Sequence, residues 1–153
     1  MQNTDRIWEM AERHRTAFVR LADRVFDTPE IAYTEHESAA AHVEALEAAG
    51  ARISRDLAGI PTAVMGEWGT GGPVIAILGE YDALPELGQE PGVAEERPVG
   101  RAGHGCGHNL LGSAAMMAAV ALSDWLAGTG TPGRVRYYGC PAEEGGAAKT
   151  FMV

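Results

Sequence analysis

Five consecutive apolar residues, Val74-Ile75-Ala76-Ile77-Leu78, place the first constraint on the fold. A strand with one wet face alternates polar and apolar side chains. A strand apolar at every position fits a sheet covered on both faces. The run is entered through the turn Gly69-Thr70-Gly71-Gly72 and leaves into Gly79-Glu80-Tyr81-Asp82, where carboxylates abruptly replace hydrophobic residues. Further β-rich runs cover residues 52–57, 62–68 and 134–139. The intervening chemistry is helical. Residues 5–27 carry Ile7, Met10, Ala11, His14, Phe18, Leu21 and Val25 near a 3.6-residue period, with Thr4 as a capping residue and Thr28-Pro29-Glu30 as the stop. Residues 35–49 place Ala39, His42, Val43, Leu46 and Ala49 on one face, and Gly50 stands where a left-handed terminal residue belongs. Residues 110–126 form a strongly apolar helix rich in Ala, Gly and Ser, which suits close approach to a sheet. Helices alternating with strands over 153 residues predict one α/β layered unit, a mixed sheet flanked by helices.

Charge narrows the partners. Lys+Arg number 12 against 21 Asp+Glu, a formal net charge of −9, so there is no surplus of cations to neutralise phosphates and no nucleic acid is expected. The N-terminus lacks a basic segment followed by an apolar one, and no run of 18 apolar residues is found. Neither a signal peptide nor a membrane partner is expected, and the compartment expected is the cytoplasm. The two cysteines, Cys106 and Cys140, are then reduced thiols. Residues 85–103 hold Pro85, Pro91 and Pro98 with Glu86, Glu90, Glu95 and Glu96, and read as a long exposed loop.

Three clusters carry chemistry. In His104-Gly105-Cys106-Gly107-His108, three potential metal donors fall within five residues. The intervening glycines let the backbone bend enough for neighbouring side chains to converge. Thiolate and imidazole suit borderline-soft metals, and the segment opens a helix whose N–H groups favour an anionic sulfur. In Pro141-Ala142-Glu143-Glu144-Gly145-Gly146, adjacent carboxylates stand at the end of a strand, where open α/β sheets place ligands. One could bind a metal while the other handles a proton, or both could form a solvated acidic turn. Glu80 and Asp82 follow the apolar strand, either as a ligand or orienting carboxylate or as ordinary strand-end polarity. His14 and His42 fall on helix faces, His36 at a helix start. A thiol redox pair of Cys106 and Cys140 is a rival reading.

The ordered motifs Gly79-Glu80-Tyr81-Asp82-Ala83-Leu84-Pro85, Gly103-His104-Gly105-Cys106-Gly107-His108-Asn109 and Cys140-Pro141-Ala142-Glu143-Glu144-Gly145-Gly146 resemble the metal-dependent amidohydrolases of the aminoacylase/carboxypeptidase (M20-type) family. The branch most similar includes the aminobenzoyl-glutamate, hippurate and indole-acetyl-amino-acid hydrolases. The resemblance implies hydrolysis of the amide bond in N-acyl or N-aroyl amino acids at two divalent metal ions, zinc or manganese. It implies Cys106, His108 and Glu144 as metal ligands, Glu143 as general base and Asp82 as the residue that orients the metal site. His104 lies near the site without an assigned bond, and Glu80 occupies a position that is histidine in the exopeptidase relatives. Family members act on small-molecule acyl-amino-acid substrates, as homo- or hetero-oligomers. They are more than twice as long as this chain. Residues 1–153 are accordingly expected to be the N-terminal portion of a catalytic domain, incomplete at its C-terminal end, without the lid or dimerisation domain and inactive alone. The alternative is a non-catalytic remnant or partner-binding subunit that retains a partial metal site.

Overall fold

A computed structural model describes residues 3–152. Helix α1 runs Asn3–Asp27 and α2 runs His36–Ala48. Their apolar spacing does what the periodicity predicts: Phe18, Leu21 and Val25 of α1 and Ala39, Val43 and Leu46 of α2 enter the core. Thr4 lies inside the first turn of α1 and not before it. At α2 the capping acceptor comes from upstream. Glu30 takes the backbone N–H groups of Glu37 (3.0 Å) and Ser38 (2.8 Å) together with the Ser38 hydroxyl (2.8 Å), so a carboxylate meets the positive end of the helix. Gly50 adopts φ +73°, the left-handed value expected after a helix.

The strands are β1 Arg52–Arg55, β2 Val64–Thr70, β3 Val74–Gly79 and β4 Gly133–Gly139, in the sheet order β1-β2-β4-β3. β1 with β2 and β2 with β4 pair antiparallel; β3 with β4 pairs parallel. A parallel pair cannot be joined by a tight turn. Here the crossover carries helix α3, His108–Thr129, and a short α4, Lys149–Met152, follows β4. Val64 and Trp68 of β2 and Val135 and Tyr137 of β4 point to the face covered by α2 and α3, where they meet Leu46, Met116 and Val120. The other face carries a charged cluster at β1, β2 and β4 and apolar Val74, Ala76 and Leu78 at β3. Glu67 there accepts from Arg52 (2.8 Å) and Arg136 (2.6 Å), with Arg134 at 3.5 Å.

β3 departs from expectation. It is an edge strand, with Ile75 and Leu78 each 47% exposed and Val74 40% exposed, and not a strand covered on both faces. Among the described residues only β4 pairs with it, and the helical layer lies against one side of the sheet. A uniformly apolar run reports what a strand could bury, not which neighbours are present to bury it. The expected loop is found between β3 and α3, but it is folded back on itself. Gly88 donates to the Arg101 carbonyl (2.8 Å), Val99 to Gly88 (3.0 Å) and Glu90 to Arg97 (3.1 Å).

Helix α3 alone among the described residues is long and apolar enough to cross a membrane by length and composition. It is the central core helix, packed against α1, β3 and β4, with Met116, Ala119, Val120 and Ala121 buried. Its small residues set the spacing. A Cβ on Gly112 would stand 2.2 Å from the carbonyl oxygen of Glu80, so the helix rests directly on the backbone at the end of β3.

That contact makes Gly112→Ala a clean probe of the packing, because the added methyl meets backbone and not only the tip of a flexible side chain. The substitution should lower stability by about 1–3 kcal/mol, read as a reduced urea midpoint at unchanged slope. The charged cluster on the sheet sets a second expectation, for acid stability. The Arg52 and Arg136 guanidiniums hold the Glu67 carboxyl down at about 2, against 4.5 ordinarily. The unfolded chain therefore takes up that proton more readily than the folded one. Glu67 contributes stability above pH 4.5 that is lost as pH falls toward about 2. The difference in melting temperature between the native chain and Glu67→Gln should narrow across that interval.

Candidate metal centre

Parallel pairing of β3 and β4 brings the C-terminal ends of both strands to one edge of the sheet. The ladder continues one step beyond them, with the Cys140 N–H donating to the Gly79 carbonyl (2.8 Å). Residues 80–82 and 141–144 therefore leave the sheet side by side. The N-terminus of α3 reaches the same place, because Gly112 lets its first turns settle on Glu80. Gly107, in the left-handed region at φ +89°, supplies the bend between the Cys106 segment and the helix.

Asp82 ties the three segments together. Its Oδ1 meets His108 Nδ1 at 2.9 Å, and its Oδ2 accepts the backbone N–H of Glu144 at 2.8 Å. Burial alone would raise the Asp82 carboxyl. The His108 ring and the Glu144 amide overcome that and hold it below the usual carboxylate range. The His108 imidazole is raised in turn, chiefly by its bond to Asp82 and against its own burial. With Nδ1 committed to Asp82, Nε2 is the nitrogen that faces outward. Glu143 Oε2 stands 3.7 Å from it.

Cys106 Sγ, one His108 nitrogen and one Glu144 oxygen lie within 4.8 Å of one another. These are the three residues that the sequence resemblance implies as ligands. Two further features fit a cation. Glu144 Oε1 is buried without a hydrogen bond of normal geometry among the described residues, 3.8 Å from His108 Nδ1 and beside the Cys106 thiol, and a cation there would satisfy it more fully. The Cys106 thiol is pushed up by desolvation and then by the carboxylates of Glu144, Glu143 and Asp82. A divalent ion among these groups would reverse that balance and favour the thiolate. The donor set therefore fits a metal, with Asp82 behind His108 in the position of an orienting carboxylate.

The remaining sequence candidates fall into place around this centre. Glu80 diverges from Asp82. Only 7% exposed, it pairs with Lys149 of α4 and is not among the converging donors. His104 turns away as well. Its Nε2 meets the Val25 carbonyl at the end of α1 (3.0 Å), and burial lowers its pKa. Cys106 is exposed and Cys140 buried, and no disulfide joins them here. Burial drives the Cys140 thiol up to about 11. His42 is wholly buried against Tyr81 and Tyr137, with Nδ1 at 2.8 Å from the Tyr137 hydroxyl, while His36 is exposed.

Sequence reasoning missed the linker between α1 and α2. Ile31 bridges to Ala83, the Tyr33 hydroxyl donates to the Gly146 carbonyl (2.6 Å), and Glu35 accepts the backbone N–H of Ala142 (2.8 Å). These residues stand among a proline and a helix start, where acidic and turn-forming residues are routine. No local pattern distinguishes a buried glutamate there from a solvated one.

No protein-family model matches the chain. Its sequence is 50% identical over 144 residues to a subunit of the p-aminobenzoyl-glutamate hydrolase of Escherichia coli (strain K12), covering 93% of this chain and 30% of that protein. The crystal structure of Bacillus subtilis YXEP, a dinuclear metal-binding peptidase of the M20 family, superposes with a TM-score of 0.63 at 31% identity, covering 84% of this chain and 37% of that one. An aminobenzoyl-glutamate utilization protein from Klebsiella pneumoniae shares the fold with a TM-score of 0.61 at 15% identity, covering 90% of this chain and 39% of that one. The chain spans 30% of the length of the curated relative named first. By sequence it is similar over 93% of its length to part of a p-aminobenzoyl-glutamate hydrolase subunit, and by sequence and fold over 84% to part of a peptidase of the M20 family.

Proposed function

We propose that this chain contributes half of a two-metal centre to a hydrolase of N-acyl or N-aroyl amino acids, p-aminobenzoyl-glutamate among them. The observation that carries this reading is the convergence of Cys106, His108 and Glu144, with Glu143 beside the outward nitrogen of His108. Divalent cations held there would supply Lewis acidity toward the scissile carbonyl and lower the pKa of water. Zinc and manganese are the candidates, the thiolate favouring zinc and the carboxylates tolerating manganese.

Within that centre the adjacent glutamates divide the work. Glu144 is gripped at its backbone N–H by Asp82 and turns its carboxylate inward, as a ligand. Glu143 is more exposed, its side chain 43% accessible against 20% for Glu144, and can exchange protons with substrate and water. It takes a proton from the attacking water as the new C–O bond forms. It passes that proton to the amide nitrogen as the C–N bond breaks, leaving a carboxylic acid and a free amino acid. Asp82 keeps the His108 ring in one orientation throughout.

A catalytic zinc ordinarily has three protein ligands, and three donors shared between two ions give each fewer than that. We therefore infer that residues 1–153 bind metal without turning over substrate alone. The E. coli relative is itself a hydrolase subunit, which supports an assembly in which other polypeptide completes the centre. A reducing, cytoplasmic setting suits an exposed thiolate ligand.

Two measurements test this reading. Iodoacetamide should modify Cys106 of the native chain and spare the buried Cys140, and added zinc should protect Cys106. Equal labelling with and without zinc would remove Cys106 from the ligand set. In a hydrolytically active form, Glu143→Gln should abolish p-aminobenzoyl-glutamate cleavage while metal content stays unchanged. Loss of metal with activity would make Glu143 a ligand and exchange its role with that of Glu144.

A further inference from the structure

The turn that carries Glu143 and Glu144 is held in an unfavourable backbone conformation. Ala142 has φ +55° and Ala147 has φ +49°, although neither is glycine. A side chain in the left-handed region costs roughly 1–2 kcal/mol, and such conformations persist only where the surroundings enforce them. Two buried carboxylates do so here. Asp82 grips the N–H of Glu144, and Glu35 Oε1 grips the N–H of Ala142 at 2.8 Å. Glu143 lies between the two anchored amides.

Glu35 is an unusual residue to find in that role. It is 0% exposed, and the partner of its carboxylate is a backbone amide, not a cation. Its second oxygen, Oε2, makes no hydrogen bond of normal geometry among the described residues, although the buried Thr62 hydroxyl and the backbone of Tyr33 and Glu35 lie near enough to pull the carboxyl pKa down against the effect of burial. It does not use its side chain to cap α2, the task its position suggests, because Glu30 performs it. A carboxylate buried at such expense, with its direct 2.8 Å bond to a strained amide next to Glu143, is placed for that bond.

We propose that Glu35 is a positioning residue, whose buried carboxylate latches the left-handed turn at Ala142 and thereby sets where Glu143 and Glu144 present their side chains. This rests on the reading of those glutamates as base and ligand. Glu35 touches no converging donor and acts through the backbone alone.

The test uses the 153-residue chain, Glu35→Gln and Glu35→Ala, with cobalt(II) as the probe. Gln retains an oxygen to accept the Ala142 N–H; Ala does not. Hydrogen exchange at the Ala142 amide should be slow in the native chain and in Glu35→Gln, and at least about tenfold faster in Glu35→Ala. Amides of Val135 and Tyr137 in the core strand should stay protected. Cobalt affinity should fall about tenfold in Glu35→Ala, the loss typical of an outer-shell partner, and return to within about twofold in Glu35→Gln. Unchanged Ala142 exchange in Glu35→Ala would overturn the proposal. So would equal loss in both variants, or loss spread over the core strand, since either would make Glu35 a general packing residue. If the native chain binds no cobalt, the metal-centre reading fails by itself, and Ala142 exchange still decides whether Glu35 is the latch.

Discussion

The parallel pairing of β3 with β4 is the constraint on which the rest of this structure depends. It demands a crossover, and the crossover delivers a helix to the same end of the sheet at which both strands stop. The site is a consequence of that arrangement. Residues 80–82 leave one strand, residues 141–144 leave its neighbour, and α3 begins between them. The distance between helix and strand is fixed by an absent side chain, since any Cβ at Gly112 would collide with the Glu80 carbonyl. Chemistry-bearing residues far apart in sequence therefore meet because of main-chain geometry.

Electrostatics then separates their roles. Four acidic or thiol side chains, Asp82, Cys106, Glu143 and Glu144, surround one imidazole. Left alone, such a cluster works against itself: desolvation and the carboxylates push the Cys106 thiol up, and the buried Glu144 Oε1 has only the His108 ring, at 3.8 Å, as a positive neighbour among the described residues. Asp82 escapes this frustration because it is fully satisfied, by His108 on one oxygen and the Glu144 amide on the other. Asp82 is thus the fixed point of the cluster, while Glu143 and Glu144 face the His108 ring at 3.7 and 3.8 Å. The same logic sets Glu80 aside. It is paired with Lys149 and stands outside the converging donors.

Much of this was legible in the residues. Helical periodicity located α1 and α2 because each turns an apolar face to the core, and α3 was legible from its run of apolar and small residues. The donor cluster around Cys106 was legible because glycine-spaced Cys and His have few other uses. Three things were not legible. The edge position of β3 depends on what lies beside it, which an apolar run does not encode. The fates of Glu80 and Asp82 depend on partners 69 and 26 residues away, Lys149 and His108. The burial of Glu35 depends on a turn more than 100 positions downstream. In each case the local sequence is compatible with two environments, and only the tertiary arrangement chooses.

The linker between α1 and α2 shows how the helical layer reaches the site. Its carboxylates work in opposite directions: Glu30 faces back to start α2, while Glu35 faces forward to hold Ala142. Tyr33 fixes the far end of the same turn at Gly146, where its ring lies so close that a Cβ would stand 2.3 Å from Cε2. The turn is thus clasped at both ends by a segment that α1 and α2 themselves position. The helical layer also reaches the other side of the centre, where the Asn109 side chain donates to the Ala22 carbonyl of α1 (3.2 Å) next to His108. The backbone of the two glutamates is thus fixed from two directions, by Glu35 of the helical layer at Ala142 and by Asp82 at Glu144.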